Sequence, residues 1–428
     1  MNQIIHIIGV LDNGTSSLNP QQLQTLKQAD VVISGTRLLD LCRQDISHAQ
    51  CFDFTGQLKL VSQWIKEAYE QQKQVVILAS GDPLCHGIAS YLTKKLPQLN
   101  IRVLPNLSNM QLACARLTLA WQDLHICSIH KADHGDWFWG ASPKHSLYEL
   151  AYALQHHTKI GVFTSPENNP KRIVELLKSM GMAQDWSFSI TEDLMSEHEK
   201  VTASLNHSEV CTQIFSDTNI VILQRIKAQE PIIFGNHDDQ FIQRKPDKGL
   251  ITKYEVRAVS LAHLQLHADS IVWDIGAGSG SVGLEAARLC RHGHVYAIEK
   301  NKADFDIASQ NQQRMHAINY SLTQGKAPEG LEQWPDPSAI FIGGSGGELA
   351  TLIALCLNRL QSHGKLVMNF VTLENMNTAI NTLKELQVTW HMSQLQIACS
   401  QPILHMNRLQ ALNPVWVITA EKTYLEKE

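Results

Sequence analysis

Several features are scarce in these 428 residues, and each scarcity removes a class of protein. The nine cysteines are scattered, with no Cys-x-x-Cys pair. Neither a disulfide framework nor a structural zinc site fits that spacing, so a reducing cytoplasm is expected. No apolar run approaches the roughly 20 residues that a spanning helix needs, and no membrane partner is expected. The opening "MNQIIHIIGVLDNG" carries no basic leader and reads as a strand entering a loop. Positive charge is also short. Lys and Arg number 36 against 41 Asp and Glu, leaving −5 at neutral pH. That argues against a nucleic-acid binder relying on a broad basic face. Low-complexity segments and short-period repeats are missing. The 20 histidines make no His-x-x-x-His or Glu-x-x-His pair on a clear helix face, so no metal site is expected.

What remains is a globular composition, 44% hydrophobic and 18% charged, in a chain too long for one ordinary core. Two or three domains are expected. Short β-rich runs alternate with helical patterns from the start: "IIHIIGV" (4–10), "DVVISG" (30–35), "QVVILAS" (74–80) and "NIRVLP" (100–105). A second set follows at 123–129, 159–164, 188–191 and 218–223. This alternation predicts parallel sheets with helices on their faces, arranged as two lobes with a cleft. The pattern breaks over 229–248, where prolines, glycines and charges cluster, and this stretch reads as a linker. Beyond it, strands are expected at 271–275, 294–299, 318–323, 338–342, 365–371, 388–398 and 415–421. Seven strands with short helices between them predict one doubly wound α/β sheet. The domains are therefore 1–228 and 249–428.

The strongest chemical signal is "VWDIGAGSGSVGLEAA", residues 272–287. Gly276, Gly278 and Gly280, with Ala277 and Ser279 between them, directly follow a strand. At that end of an open α/β sheet ligands bind. Glycine lets the backbone approach a ligand, and the helix that begins near Ser281 aims free N–H groups at it. A dinucleotide fingerprint would need glycine at 281, where serine stands. Asp274 would repel a pyrophosphate but could pair with an ammonium group. Glu299, ending the next strand, is positioned to accept two ribose hydroxyls. These features favour S-adenosyl-L-methionine, which carries an ammonium and no phosphate. Two further segments fit this reading. In "QGKAPEGL" (324–331) the N–H of Ala327 could read an adenine edge. In "FIGGSGGEL" (341–349) Gly343, Gly344, Ser345, Gly346 and Gly347 form a second nest of N–H groups, suited to an acceptor's carboxylate.

These motifs, together with "GLITKYEVRAVSL", "AIEKN", "VTLEN" and "NPVWVI", resemble the C-terminal domain of the decarboxylating precorrin-6Y C(5,15)-methyltransferase family of cobalamin biosynthesis. The first half is similar to the tetrapyrrole methylase family through "ISGTRLLDL", "VVILASGDPLCHGIASYL", "LPNLSNMQLACARL" and "ITEDLMSEHEKV". One departure is Leu11 in "GVLDNG", where the family commonly has a glycine.

The resemblance implies a two-lobed tetrapyrrole methylase fold followed by a Rossmann-like class I methyltransferase. It implies S-adenosyl-L-methionine as donor and precorrin-6B as acceptor, methylated at carbons 5 and 15 with loss of a ring acetate as carbon dioxide to give precorrin-8. Carbon 15 and the decarboxylation fall to the C-terminal domain, and carbon 5 to the N-terminal one. Other acceptors, a small molecule or RNA, and the cobalt-containing precorrin remain as alternatives. Carried over by residue, the C-terminal donor site comprises Thr252, Gly276 to Gly280, Glu299 and Ala327. The N-terminal site comprises Gly81, Asp82 and Pro83, with Ser108 of "NLSN" as a hydroxyl contact; "GDP" alone is an ordinary turn signal. A substrate rich in carboxylates needs cations. Lys253 and Arg257, four residues apart, are expected on one helix face beside Thr252. Arg37 and Arg116 are the corresponding candidates in the first half. His130 is a candidate acid–base group there, and Asn369 a candidate substrate hydrogen bond in the second half. No decarboxylation catalyst is assigned. Class I domains of this kind leave room for a homo-oligomer.

Overall fold

The computed structural model describes residues 4–130, 133–227, 232–244, 251–344 and 347–422. The chain forms two compact units, Met1–Asp136 with His145–Ala228, and Trp137–Lys144 with Gln229–Glu428.

The first unit holds two five-stranded sheets. Strands β1 (Ile4–Val10), β2 (Val31–Ser34), β3 (Gln50–Asp53), β4 (Val75–Ser80) and β5 (Asn100–Leu104) make one, in the order β3-β2-β4-β1-β5. Every pairing in it is parallel. Helices cover both faces of such a sheet, so its strands read as near-continuous apolar runs. Ile5, Ile7, Ile33 and Ile77 pack into one core; Ile8, Val10, Val32 and Leu78 pack into the other.

The second sheet corrects an expectation. Strands β6 (His125–Ser128), β7 (Lys159–Phe163), β8 (Trp186–Glu192), β9 (Lys200–Leu205) and β10 (Asn219–Arg225) lie in the order β6-β7-β10-β8-β9. Only β6 and β7 are parallel; the other pairings are antiparallel. Residues 193–199 between β8 and β9 are too few for the crossover a parallel neighbour requires, which takes about a dozen residues. Strands β3 and β9, absent from the sequence reading, are short polar edge strands.

In the second unit the doubly wound expectation holds. Its strands are β11 (Ile271–Ile275), β12 (His294–Glu299), β13 (Tyr320–Gln324), β14 (Ala339–Ile342), β15 (Lys365–Phe370), β16 (Thr389–Leu395), β17 (Ala398–Ile403), β18 (Met406–Ala411) and β19 (Val415–Glu421). Seven of them form one sheet, β13-β12-β11-β14-β15-β19-β16, and β17 with β18 makes a separate ribbon. The single strand expected over 388–398 thus ends at Leu395. Alternate residues of β11 face opposite layers. Trp273 and Ile275 pack toward helices Leu349–Arg359 and Leu373–Glu385. Val272 packs toward helices Tyr254–Leu264 and Ser281–Leu289, and the period of two sends Asp274 the same way. The chain leaves β12 and β13 on one side of β11 and β14 on the other, a switch point that opens a crevice at the carboxyl ends.

The stretch read as a linker is tied into this unit. Phe241 is buried in the core with Leu261 and Val282. Glu285 accepts the N–H groups of Gly235 at 3.2 Å and Asn236 at 2.8 Å. Among the described residues no helix is long and apolar enough to cross a membrane.

Candidate functional sites

The glycine loop leaves β11 through three left-handed glycines, Gly276 (φ 74°), Gly278 (φ 57°) and Gly280 (φ 78°). A β-carbon on Gly276 would lie 2.7 Å from the backbone N and O of Gly344. Glycine here lets the loops after β11 and β14 touch, and any side chain would push them apart. Helix Ser281–Leu289 starts at once behind Gly280. Gly283, which the sequence reading passed over, is required for a different reason: a β-carbon there would overlap the Asp274 carboxylate and the Tyr320 ring. The pattern Gly-x-Gly-x-Gly-x-x-Gly was its only sequence signal.

Asp274 lies beneath this loop, 1% exposed. Its Oδ2 accepts the Gly283 N–H at 3.1 Å, while Oδ1 has no hydrogen-bond partner among the described residues. Burial, and secondarily the charge of Glu299, pushes its carboxyl up to about 7, against the pull of the Gly283 N–H. Tyr320 is buried against the same helix, with its hydroxyl also unpartnered. The glycine loop thus covers an acid held at the edge of ionisation.

A cavity of about 290 Å³ opens at the crevice. Of the expected residues, Gly276, Gly278, Glu299, Ala327, Gly343 and Gly344 line it; Lys300, Asn301, Asp304 and Lys326 were not foreseen. Glu299 is fixed at both oxygens, Oε2 by the Gly278 N–H at 2.8 Å and Oε1 by the Asn301 N–H at 2.8 Å. The strand-end acid is thereby aimed across the loop into the cavity. Thr252, Asp274, Ala277, Ser279 and Gly280 lie outside the walls, and Ser345 lies outside the described residues.

Three expectations for this unit are corrected by the hydrogen bonds. Arg257 is fully buried and cannot share an exposed face with Lys253. Its guanidinium donates to Asp238 at 3.0 Å, Glu285 at 3.2 Å, the Thr252 carbonyl at 2.6 Å and the Asn236 carbonyl. A buried arginine is stable only when its donors find partners within the protein; four of the five N–H groups do so here, and burial keeps the guanidinium away from substrate. Lys253 precedes the helix and stands 3.6 Å from Asp238. Asn369 gives its amide to Ser260 Oγ at 2.9 Å, which anchors β15 to helix Tyr254–Leu264 instead of reaching the cavity.

In the first unit a larger cavity, about 800 Å³, lies between the two sheets. Ser34 and Ser80 line it from the parallel sheet, Ser128 and Phe163 from the mixed one, with Arg37, His86, Asn109 and His130 around them. Arg37 pairs with Asp12 and donates to Ser80 Oγ at 2.8 Å. His130 Nδ1 is 3.1 Å from the Thr164 carbonyl. Gly81, Asp82 and Pro83 lie outside its walls, between Ser80 and Cys85, which line it: Gly81 (φ 61°) donates to the Val10 carbonyl, and Asp82 Oδ1 accepts the Leu84 N–H at 2.9 Å. Ser108 is corrected. It caps helix Asn109–Arg116, accepting the Gln111 N–H at 3.2 Å and lying 3.1 Å from Gln111 Oε1, so its hydroxyl serves the helix. Arg116 is held by Glu199. Leu11 is 6% exposed and packs with Met110, Leu194 and Ile220. Among the described residues no group of three or more His, Cys, Asp or Glu could hold a metal ion.

Residues 5–207 match the family model of tetrapyrrole (corrin/porphyrin) methylases, and residues 245–422 match that of the precorrin methyltransferase domain. Fold, cavities and matches together define a methyltransferase of two units. The chain is 28% identical over 376 residues to precorrin-6Y C(5,15)-methyltransferase (decarboxylating) of a Sinorhizobium species, covering 86% of this chain and 84% of that one. It is 37% identical over 173 residues to the Salmonella typhimurium cobalt-precorrin-6B C(15)-methyltransferase (decarboxylating), covering 40% of this chain and 89% of that one. A crystal structure of precorrin-6Y C5,15-methyltransferase from Geobacter metallireducens GS-15 is 38% identical, covering 45% of this chain and 100% of that one, with a TM-score of 0.43. The chain belongs to the family of decarboxylating precorrin methyltransferases.

Proposed function

We propose that the chain methylates precorrin-6B at carbons 5 and 15 and removes a ring acetate carboxyl as carbon dioxide, giving precorrin-8. Carbon 15 and the decarboxylation belong to the second unit, carbon 5 to the first. The observation that carries this reading is the presence of both family domains in one chain, in register with the Sinorhizobium enzyme over 376 residues. The second unit's cavity suits S-adenosyl-L-methionine: its wall is the glycine loop, where a β-carbon on Gly276 would collide with Gly344, and the strand-end acid Glu299 lines it. When bound, that donor supplies an electrophilic methyl on sulfur.

The chain's own residues bind and align. Gly276 and Gly278 admit the donor to the backbone, Glu299 accepts its ribose hydroxyls, and the Ala327 N–H meets its adenine edge. Gly344, with Ser345, takes an acceptor carboxylate. In the first unit Gly81, Asp82 and Pro83 flank the donor, while Arg37 and His130 face the acceptor. Transfer to an electron-rich carbon depends on in-line placement more than on a strong base, which suits a wall of glycine backbone.

A second reading, with cobalt-precorrin-6B as acceptor, is favoured by the 37% identity to the Salmonella enzyme. The test is anaerobic incubation of the full chain with S-adenosyl-L-methionine and either acceptor, followed by mass spectrometry. Two methyl groups gained and one carbon dioxide lost from precorrin-6B is the expected result. Turnover of the cobalt form alone selects the second reading, and no turnover of either acceptor refutes both.

A further inference from the structure

The stretch that precedes the methyltransferase motifs reaches the donor cavity from outside by two routes. The first starts at Arg244. Its Nε is 2.7 Å from Asp304 Oδ1, and its Nη2 donates to Asp304 Oδ2 at 2.9 Å and to Asn301 Oδ1 at 2.6 Å. Asn301 caps helix Lys302–Arg314 by accepting the N–H groups of Ala303 at 3.0 Å and Asp304 at 3.3 Å. Its own N–H donates to Glu299, and Glu299 in turn receives the Gly278 N–H. Glu299, Asn301, Asp304 and Gly278 all line the cavity; Arg244 lies behind them.

The second route runs through Asn311, 1% exposed. Its Oδ1 accepts the Ile242 N–H at 2.7 Å, and its Nδ2 donates to the carbonyls of Ile242 at 2.9 Å and Ser279 at 2.9 Å. One buried amide thus pairs with the backbone of the outer stretch and with the glycine loop at once.

We propose that residues 241–244 are the outer wall of the donor site. Arg244 acts there as a positioning residue that holds Asn301 and Asp304, and through them Glu299, in the orientation that receives the donor's ribose. This rests on the reading of the cavity as the donor site. The charge pattern supports it. Asp304 is buried close to a second carboxylate, Glu299, at a cavity that admits a ligand with two hydroxyls. Burial raises the Asp304 carboxyl, Arg244 opposes that, and Glu299 adds to it. Without the guanidinium, Asp304 either takes up a proton or turns from Glu299, and each response disturbs the cap residue that fixes Glu299. A fork donating to both carboxylate oxygens also sets direction, which a point charge on lysine does less well.

The test is calorimetric titration of the full chain with S-adenosylhomocysteine, using wild type and the variants Gly276→Ala, Arg244→Ala, Arg244→Lys and Asp304→Asn. Gly276→Ala identifies which binding event belongs to the second unit. If that substitution changes no binding event, the donor-site reading itself fails. If it removes one, Arg244→Ala is expected to weaken that same event by about ten- to a hundredfold, as loss of charge-assisted hydrogen bonds does, and to leave the other untouched. Arg244→Lys should recover part of the loss. Donor KM should rise in step, while kcat at saturating donor stays within about twofold, because Arg244 touches no reacting atom. A lowered melting temperature with wild-type affinity in Arg244→Ala would reduce Arg244 to a structural strap and overturn the proposal. Should that variant not fold, Asp304→Asn and Arg244→Lys decide it: wild-type affinity in both overturns it, and weakened affinity in either supports it.

Discussion

Each unit opens with a loop at the carboxyl end of its first strand, and the two loops end differently. After β11 the chain runs Gly276-Ala-Gly-Ser-Gly280 through left-handed conformations and leaves a cavity of about 290 Å³ against its backbone. After β1 it runs Leu11-Asp-Asn-Gly14 and folds back at once, with the Gly14 N–H donating to the Leu11 carbonyl at 2.9 Å and the Leu11 N–H to Ser17 Oγ at 3.1 Å. The Leu11 side chain fills the space that an alternating glycine would leave, and the hollow beside Asp12 measures only about 20 Å³. The large cavity of the first unit is bordered instead by Arg37, Ser80 and the turn after β4. Position at a strand end permits a ligand site; the side chains of the loop decide whether the space stays open.

The most damaging way to break this comparison is Gly276→Ala. The new β-carbon would sit 2.7 Å from Gly344 on a backbone of φ 74°, combining a left-handed penalty of about 1–2 kcal/mol with displacement of a cavity wall. Affinity of the second unit for S-adenosylhomocysteine should fall at least about a hundredfold, with the first unit's binding unchanged. Titration calorimetry that still finds wild-type binding events would mean the loop does not face the ligand.

Asp274 gives the next effect, and it depends on pH. Its carboxyl is raised in the fold to about 7 from 3.8. The stability associated with its protonated form is therefore full below about pH 4 and is lost as pH rises through about 7, because the unfolded chain releases that proton first. The shift amounts to roughly 4 kcal/mol between those limits. Asp274→Asn should flatten this slope in the second unit, read by hydrogen exchange of β11 peptides between pH 4 and 8. An unchanged slope would show that Asp274 ionises freely in the native protein.

Leu11→Ala addresses the closed loop. Removing a buried leucine side chain from the cluster with Met110 and Ile220 should cost the first unit about 2–4 kcal/mol, with protection lost in β1 and in helix Asn109–Arg116 and none lost in the second unit. A change below about 0.5 kcal/mol would mean the loop is not packed as described.

How much of this was readable beforehand follows the range of the interactions. The doubly wound sheet, the glycine loop, Glu299 and Ala327 are local: a strand run, a turn residue or a strand-end acid announces each within a few positions. The antiparallel half of the first unit was not readable, because strand direction depends on connections whose length matters and whose hydrophobic period does not. Arg257 misled for a related reason. Spacing from Lys253 suggested a shared exposed face, but Asp238 and Glu285, which bury it, lie 19 and 28 residues away in sequence. The second-unit residues 232–244 looked like a linker because their anchors, Glu285, Asn301, Asp304 and Asn311, are all far down the chain. Polar residues announce their type in a sequence and not their partners.

Ser108 shows the same ambiguity at the smallest scale, and the two readings of it predict different measurements. As a ligand contact its hydroxyl would affect donor affinity; as a helix cap it affects only the stability of the element behind the cavity. The structure uses Oγ to accept the Gln111 N–H, while Gln111 Oε1 accepts the Ser108 N–H at 2.9 Å, a reciprocal cap. Ser108→Ala should therefore cost about 1 kcal/mol of stability and leave the first unit's affinity for S-adenosylhomocysteine within about twofold. Ser108→Asp, an alternative cap with an added negative charge at a helix N-terminus, should restore the stability. If Ser108→Ala instead weakens binding about tenfold with stability unchanged, the hydroxyl leaves Gln111 for the ligand when the donor arrives, and the cap is only its resting partner.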